Sequence, residues 1–211
     1  MIGVIDYGLG NIGSVMKALR RAAPEEDAVL VRDSRALGRA DKVLLPGVGA
    51  MADGMAGLEQ RGLVEAVRRA AREKPFLGIC LGMQMLYEKS EEGSAKGLAV
   101  LAGEVRHLRH GMPAPKKIPH MGWNEVFWKD ADPARAHFLA AGAPSPSWFT
   151  FVHSYFVLPR DPQEVLGTTD HAFAFAAAVA RENIAGVQFH PEKSGREGLA
   201  LLRRFCLWKG D

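Results

Sequence analysis

Cysteine is scarce in this sequence, which contains only Cys80 and Cys206 among its 211 residues. Two cysteines in such different surroundings do not build the disulfide framework of a small secreted protein. Cys206 lies in the apolar segment 199–208, where we expect a core side chain. The cysteine usage therefore favours a reducing compartment, and we expect the protein to be cytoplasmic.

Long apolar runs and a strong excess of one charge are also missing. No stretch approaches the roughly 18 apolar residues that cross a bilayer, and residues 1–6 have the pattern of a strand rather than a signal peptide. The formal net charge is only +3, with the basic residues scattered in pairs. Neither a membrane nor a nucleic acid is therefore expected as a partner. Because the chain has no internal repeat or linker, we expect residues 1–211 to form one domain.

Short apolar strands alternate with helical patterns along most of the chain. The main strands are expected at Met1–Asp6, Ala28–Val31, Lys42–Leu45, Phe76–Ile79 and Ile184–Phe189. Helices are expected from Asn11, from Leu63 to Arg72 and from Ser194 to Trp208, with a glycine-rich loop before the second. Shorter strands fill the middle, at Val100–Leu101, Glu104–Leu108, Asn124–Trp128, Phe149–Val157, Val165–Thr169 and Phe173–Val179. This order predicts an α/β fold: an open, mostly parallel, doubly wound sheet with a small antiparallel insertion.

One cysteine stands between two glycines where a predicted strand ends. In Gly78-Ile79-Cys80-Leu81-Gly82 the strand runs into Cys80, and a helical pattern follows Gly82. Glycines at a strand-to-helix junction permit a sharp turn that exposes the side chain between them, as in a nucleophile elbow. We expect the helix N-terminus to favour a thiolate there. The alternative is a buried thiol that simply ends a core strand.

A histidine and a glutamate follow the last predicted strand, two residues apart. Pro191 keeps this segment extended, which places His190 and Glu192 on the same side. A carboxylate beside an imidazole fixes its tautomer and stabilises the imidazolium. The carboxyl ends of neighbouring parallel strands converge, so His190 is a candidate base for Cys80. Without that cysteine, an exposed ion pair would explain the same spacing.

The turn Pro46-Gly47-Val48-Gly49 follows the third strand and is rich in glycine. Its backbone N–H groups can stabilise a developing oxyanion, with the N–H of Leu81 as the second donor. Taken alone, the segment is an ordinary turn. Together with a thiol and an imidazole it indicates nucleophilic attack on a carbonyl group.

Another glycine motif points to a different function. The segment Gly8–Gly13 matches G-x-G-x-x-G between a strand and a helix, and Asp33 stands where a ribose-binding acid belongs. A dinucleotide-binding module is therefore an alternative. Against it, Asp6 and Tyr7 place a carboxylate and a bulky ring where a pyrophosphate would approach. The motif also leaves the downstream cysteine and histidine unexplained.

Six stretches resemble the motifs of one family and together span nearly the whole chain. They are Asp6–Asn11, Pro46–Gly49, Gly78–Gln84, Pro119–Asn124, Val152–Tyr155 and Gln188–Ser194. In this order they resemble the class I, or triad, glutamine amidotransferases. Met83 and Glu192–Ser194 narrow the resemblance to glutaminase subunits that serve histidine biosynthesis.

The resemblance implies a role for each matching residue. Cys80 would attack the carboxamide of L-glutamine, His190 would act as acid and base, and Glu192 would orient it. The Gly47–Val48 peptide and Leu81 would form the oxyanion hole. The glutamine pocket would be lined by Gly47, Gly49, Gln84, His153, Ser154 and Tyr155.

The resemblance also implies a partner. Ammonia would pass through a channel into a separate (β/α)8-barrel synthase subunit, with an interface that includes Asn11, Met121, Trp123 and Lys193. No cofactor and no metal ion is expected. Thr150 stands where the family usually has a bulkier aromatic residue, so no gating role is assigned there. A triad amidotransferase with another acceptor and a docking subunit without activity are the remaining alternatives, but the latter would not need a complete triad.

Overall fold

The computed structural model describes residues 1–113, 116–129 and 137–210. Its helices are α1 (Ile12–Ala22), α2 (Ser34–Arg39), α3 (Met51–Gln60), α4 (Val64–Glu73), α5 (Leu81–Gln84) and α6 (Gly195–Leu207). Its first six strands are β1 (Ile2–Ile5), β2 (Ala28–Val31), β3 (Lys42–Leu45), β4 (Phe76–Ile79), β5 (Lys89–Ser90) and β6 (Gly103–His107). The others are β7 (His120–Trp128), β8 (Ser147–His153), β9 (Tyr155–Pro159), β10 (Val165–Asp170), β11 (Ala174–Arg181) and β12 (Ile184–Val187).

A nine-stranded sheet runs through the molecule in the order β2-β1-β3-β4-β12-β11-β10-β7-β8. The strands from β2 to β12 in this order pair in parallel, and those from β11 to β8 pair antiparallel to their neighbours. β5, β6 and β9 form a second, three-stranded sheet. The predicted fold class is confirmed. Part of the antiparallel region extends the edge of the main sheet, and the rest forms the smaller one.

Helices cover both faces of the parallel half. On one face Val4, Leu44 and Leu77 belong to a core shared with α1 and α6. On the other face Ile5 and Leu45 belong to a core shared with α3 and α4. Strands buried on both faces are continuous apolar runs, which is why their limits follow from the sequence. No helix in the described parts of the chain is long and apolar enough to span a membrane.

The helix α3 is absent from the sequence-based prediction, which has a glycine-rich loop there. Gly54 and Gly57 lower the helix propensity of this segment, but close packing requires both. A Cβ atom on Gly57 would lie 2.6 Å from the backbone oxygen of Tyr7, and one on Gly54 would lie 2.8 Å from the sulfur of Met85. Tertiary packing therefore stabilises a helix that local propensity disfavours.

Two strand predictions are also wrong. The segment Phe149–Val157, predicted as one strand, contains parts of two, because the chain breaks at Ser154 and passes from β8 in the main sheet to β9 in the small one. Val100–Leu101 is a bend rather than a strand, although both side chains are buried. An apolar run alone does not show which sheet a segment joins.

The close packing of α3 gives a stability prediction. Gly57→Ala should destabilise the fold by about 1–3 kcal/mol, because the new methyl group overlaps a backbone atom that cannot move freely. Gly13→Ala is the matched control in α1, where a Cβ would meet nothing within 4 Å, and it should stabilise the fold by up to about 1 kcal/mol. Urea unfolding measures both changes. Equal effects of the two substitutions would contradict the packing argument.

Candidate active site

Cys80 occupies a strained turn between β4 and α5. Its φ and ψ are 54° and −110°, a left-handed backbone that residues other than glycine seldom adopt. Its N–H donates to the carbonyl of Val187 at 2.7 Å, which extends the β4–β12 pairing by one residue. The strain and its support by the sheet are those of a nucleophile elbow, as predicted.

The flanking glycines serve close packing rather than the turn itself. Their φ angles lie outside the left-handed region. A Cβ on Gly78 would lie 2.8 Å from the backbone of Gly82, and one on Gly82 would overlap the carbonyl oxygen of Leu45. The glycines thus let the turn fold back on its strand and press against β3, while Cys80 itself adopts the unusual backbone.

The helix that follows is shorter than predicted and begins earlier. α5 consists of the single turn Leu81–Gln84, whereas the sequence pattern placed a helix after Gly82. The dipole of a single turn is weak. The helix can therefore favour a thiolate at Cys80 only through the free N–H groups at its start. Leu81 is the first residue of α5, and no carbonyl within the helix accepts from its N–H.

His190 and Glu192 lie together beside the elbow. His190 Nδ1 lies 2.8 Å from Glu192 Oε1, and both side chains are only 2% exposed. The carboxylate accepts a hydrogen bond from the Nδ1–H group, which leaves Nε2 to face the thiol. Within the described residues, neither Nε2 of His190 nor Oε2 of Glu192 has a hydrogen bond of good geometry.

The charge of this buried histidine is set by its two neighbours. Burial lowers the pKa of His190, but the interactions with Cys80 and the Glu192 carboxylate outweigh it and raise the pKa to about 10. At neutral pH the resting site therefore holds an imidazolium. Because its folded pKa exceeds the ordinary 6.5, this proton stabilises the fold fully below pH 6.5, and the contribution is lost as the pH rises toward 10.

The turn that carries His190 is fastened to β8. The Ser194 hydroxyl donates to the carbonyl of His190 at 2.6 Å and accepts from the N–H of Thr150 at 2.9 Å. The N–H of His190 donates to the carbonyl of Thr150 at 2.9 Å, and the Thr150 hydroxyl donates to the carbonyl of Lys193 at 3.2 Å. Thr150 therefore holds the turn that carries His190 in place.

A cavity of about 250 Å³ opens beside Cys80. The predicted oxyanion and substrate residues that line it are Val48, Leu81, Gly49, Gln84, His153, Ser154 and Tyr155, and Glu92 and Val152 complete the wall. Gly47 lies outside this lining. It is wedged under the loop, where a Cβ would lie 2.9 Å from that of Leu81 and overlap the hydroxyl of Tyr7.

The predicted oxyanion loop, residues 46–49, is closely packed at Gly47 and accessible at its tip. Gly47 is held against the elbow, Val48 is 38% exposed, and Gly49 has φ +97°. Tyr7 supports the loop from below, and its buried hydroxyl has no hydrogen-bond partner among the described residues. Burial, with a smaller contribution from the nearby Cys80, raises the pKa of Tyr7, so the hydroxyl stays neutral.

His153 supports the pocket wall through hydrogen bonds. Its Nδ1 lies 2.8 Å from the carbonyl of Tyr155, and its Nε2 lies 2.9 Å from Nδ1 of His120. Burial lowers the pKa of His153 to about 4 and that of His120 to about 3. Both rings are therefore neutral, and His153 has no free nitrogen for a substrate.

The four predicted interface residues lie at the surface. Met121 and Trp123 are 67% and 56% exposed on β7, Lys193 is exposed in the turn after His190, and Asn11 caps α1 through its side chain. The Asn11 cap and the turn 191–193 follow the carboxyl ends of β1 and β12, at the edge of the sheet that carries Cys80.

The glycine motif of the N-terminal turn does not build a dinucleotide site. In a dinucleotide fold the third glycine permits close packing of helix on strand, but Gly13 is exposed and has room for a side chain. The carboxylate of Asp33 caps α2 by accepting from the N–H of Ala36 at 2.8 Å. The described residues contain no cluster of three or more histidine, cysteine or acidic side chains able to hold a metal ion.

Two side chains near Cys80 were missed from the sequence. Glu92 lies in the cavity wall, and its carboxylate accepts from the N–H of Met51 at 3.0 Å. Gln188 is completely buried, with its Nε2 3.6 Å from the Cys80 sulfur. The two-residue period that pairs His190 with Glu192 also points to Gln188. No local pattern identifies Glu92, because the folding of a distant loop brings it to the cavity.

Comparison with known proteins agrees with this geometry. A family model for class I glutamine amidotransferases matches residues 4–208. The imidazole glycerol phosphate synthase subunit HisH of Methylococcus capsulatus is 49% identical, over 99% of this chain and 96% of that protein. The HisH subunit of Moorella thermoacetica is also 49% identical, over 97% and 93%.

Solved structures agree on the fold. A crystal structure of a glutamine amidotransferase matches with a TM-score of 0.72 at 19% identity, covering 97% of this chain and 96% of that one. PurLQS from Thermotoga maritima gives the same values.

The buried histidines should titrate very differently. In ¹⁵N-histidine NMR spectra His190 should remain an imidazolium to about pH 10, whereas His153 and His120 should stay neutral to about pH 4 and 3. Glu192→Gln should lower the pKa of His190 by about 1–3 units, because it removes an opposite charge in contact with the ring. Glu65→Gln, an exposed change far from the site, is the control. A wild-type His190 that titrates near 6.5 would refute the assignment.

Proposed function

Since this chain belongs to the class I glutamine amidotransferases, we propose that it is the glutaminase subunit of imidazole glycerol phosphate synthase. It hydrolyses L-glutamine to glutamate and ammonia, and the ammonia serves histidine biosynthesis. The observation that carries this proposal is the placement of His190 between the Cys80 thiol and the Glu192 carboxylate beside a cavity.

Acylation begins with the sulfur of Cys80, whose proton already rests on Nε2 of the His190 imidazolium. The sulfur attacks the carboxamide carbon of glutamine as a thiolate and forms the C–S bond. The carbonyl oxygen becomes an oxyanion that accepts from the N–H groups of Leu81 and Val48. When the tetrahedral intermediate collapses, the C–N bond breaks, and His190 donates its proton to the leaving nitrogen as ammonia departs.

Deacylation uses the same groups in reverse. His190 accepts a proton from a water molecule that attacks the γ-glutamyl thioester, and the C–S bond breaks as glutamate is released. The proton taken from water stays on His190, which restores the resting imidazolium. Glu192 remains a carboxylate throughout, because its role is to orient the ring and stabilise the imidazolium.

The cavity offers complementary groups for glutamine. Glu92 supplies a carboxylate for the α-ammonium group. Both N–H groups of Gln84 are engaged, with the carbonyl of Tyr155 at 3.1 Å and Oε1 of Gln188 at 3.0 Å. Gln84 can therefore offer only its oxygen to a substrate, which favours a donor such as an amine or amide NH₂. The other groups of the pocket are the backbone of Gly49, Ser154 and Tyr155.

An exposed apolar face supports docking of a synthase subunit. The outward side of β7 and β8 carries five large apolar residues, namely Met121, Trp123, Phe127, Trp148 and Val152. Val152 also lines the cavity and pairs with Met121 across the strands. Val152 thus joins the cavity beside Cys80 to the exposed apolar face, which supports passage of ammonia to a partner docked on that face. Exposed aromatic patches of this kind are typical of protein interfaces.

The synthase partner is, we propose, a (β/α)8 barrel that binds around Asn11, Met121, Trp123 and Lys193. It uses the ammonia to make imidazole glycerol phosphate and an aminoimidazole carboxamide ribonucleotide. We also propose that residues 1–211 form one glutaminase domain in the cytoplasm. The single main sheet, built from strands between residues 2 and 187, supports the first point.

Replacement of the nucleophile tests the chemistry. Cys80→Ala should abolish glutamine-dependent turnover of the complex with its synthase subunit, whereas turnover with free ammonium should persist. The glutamine analogue 6-diazo-5-oxonorleucine should label Cys80 in the wild type. Cys206→Ala, which changes the other buried cysteine, should keep both activities. Glutamine-dependent turnover in the Cys80→Ala complex would contradict the proposal.

Replacement of the exposed tryptophan tests the interface. Trp123→Ala should weaken binding to the synthase subunit roughly 10- to 100-fold, because buried aromatic anchors dominate interface energies. Leu158→Ala is the control, since Leu158 is 46% exposed on β9 of the small sheet. Titration calorimetry of the two subunits measures both affinities. Equal losses for the two variants would place the interface elsewhere.

A further inference from the structure

A buried glutamine side chain contacts the nucleophile from inside the protein. Gln188 follows β12 and is completely buried. Its Nε2 lies 3.6 Å from the sulfur of Cys80, and its Oε1 lies 3.0 Å from Nε2 of Gln84. The triad mechanism uses neither contact. Burial of an amide group costs free energy of desolvation unless the group forms hydrogen bonds.

The orientation of this amide follows from its neighbours. The carbonyl of Tyr155 can only accept, so Gln84 must present its NH₂ group to it. The same NH₂ group donates to Gln188, which must therefore present its oxygen to Gln84. The NH₂ group of Gln188 is left facing the sulfur, and the network excludes the flipped amide.

The carbonyl that fixes the network is itself fixed by two neutral histidines. His153 donates from Nδ1 to Tyr155 at 2.8 Å and accepts at Nε2 from His120 Nδ1 at 2.9 Å. Nε2 of His120 then accepts from the side-chain amide of Asn124 at 3.0 Å. Each ring has one defined tautomer. A continuous chain of hydrogen bonds thus runs from β7 to the Cys80 sulfur.

We propose that Gln188 is a further catalytic residue, which donates a hydrogen bond to the Cys80 sulfur and stabilises its thiolate. A donor held toward the charged form of an acid favours that form. The same donor stabilises the thiolate when it is expelled from the γ-glutamyl thioester. Its part in turnover rests on the proposed glutaminase function, but its effect on the thiol does not.

Other charged and titratable groups also face this sulfur. His190 approaches from the end of β12 and is its proton partner. The hydroxyl of Tyr7 lies on the side of β1, and Glu92 and His153 stand across the cavity. Single substitution of Gln188 leaves all of them in place, so a change in thiol reactivity can be assigned to the lost donor.

Alkylation of Cys80 by iodoacetamide as a function of pH tests the proposal. The rate is followed by mass spectrometry of the peptide that contains Cys80, in the wild type and in Gln188→Met, which keeps the length of the side chain and removes the donor. The midpoint of the pH profile should move up by about one unit. A less stabilised thiolate is more nucleophilic, so the rate at high pH should rise about threefold, while the rate below the midpoint falls about threefold.

Crossing pH profiles distinguish a donor from a merely structural residue. A structural role would scale the rate equally at every pH, and an unchanged midpoint would overturn the proposal. Gln188→Glu retains the acceptor toward Gln84 and should move the midpoint further, because it points an oxygen at the sulfur. If Gln188→Met does not fold, the alkylation midpoint of Gln188→Glu tests the proposal instead. Ser147→Ala, which loses a buried hydrogen bond to Trp128, should lower stability without moving the midpoint.

Glutamine hydrolysis by the complex with the synthase subunit provides the second readout. Gln188→Met should lower kcat about tenfold with little change in KM, since Gln188 contacts the sulfur rather than the cavity. If the wild-type complex does not hydrolyse glutamine, the proposed function fails while the alkylation profile still reports on the donor. If glutamine is hydrolysed and the profiles coincide, only the role of Gln188 fails.

Discussion

The parallel pairing of β4 with β12 is the constraint on which the site depends. Gly78 and Ile79 lie opposite Gly186 and Val187, and the N–H of Cys80 continues the pairing to the carbonyl of Val187 at 2.7 Å. The two strands are separated by about half of the chain. Because they are neighbours in register, the residues that follow each strand must meet. A shift by one residue would turn the side chains of one strand to the opposite face and separate thiol from imidazole.

Close packing around the elbow turns this pairing into a rigid site. Gly82 lies against the carbonyl of Leu45, and Gly47 lies against the elbow and Tyr7. The backbone of Cys80 can therefore hold a left-handed conformation that would otherwise relax. The accessible part is Val48, at the tip of the predicted oxyanion loop. The strained backbone of Cys80, the close packing that supports it and the cavity beside it thus lie together at the carboxyl ends of the parallel strands. Ligands generally bind at this edge of α/β sheets.

The buried histidines around Cys80 differ in charge. His190 is buried with a carboxylate and the thiol, so its pKa is raised, whereas His153 and His120 are buried with neutral partners, so their pKa values are lowered. The first can carry and return a proton. The other two hold a carbonyl in place and through it orient the amide of Gln188. In the proposed mechanism, histidine therefore serves acid–base chemistry in one setting and positioning in the other.

From the amino-acid sequence we predict the class of fold, the elbow at Cys80 and the pairing of His190 with Glu192. These are encoded locally, by apolar runs, by glycine at close contacts and by a two-residue period. The folded structure is needed to show that α3 is a helix, because packing against Tyr7 and Met85 outweighs the low helix propensity of its glycines. It alone also placed Glu92 in the cavity and Gln188 against the sulfur, since these contacts join residues that are far apart in the chain.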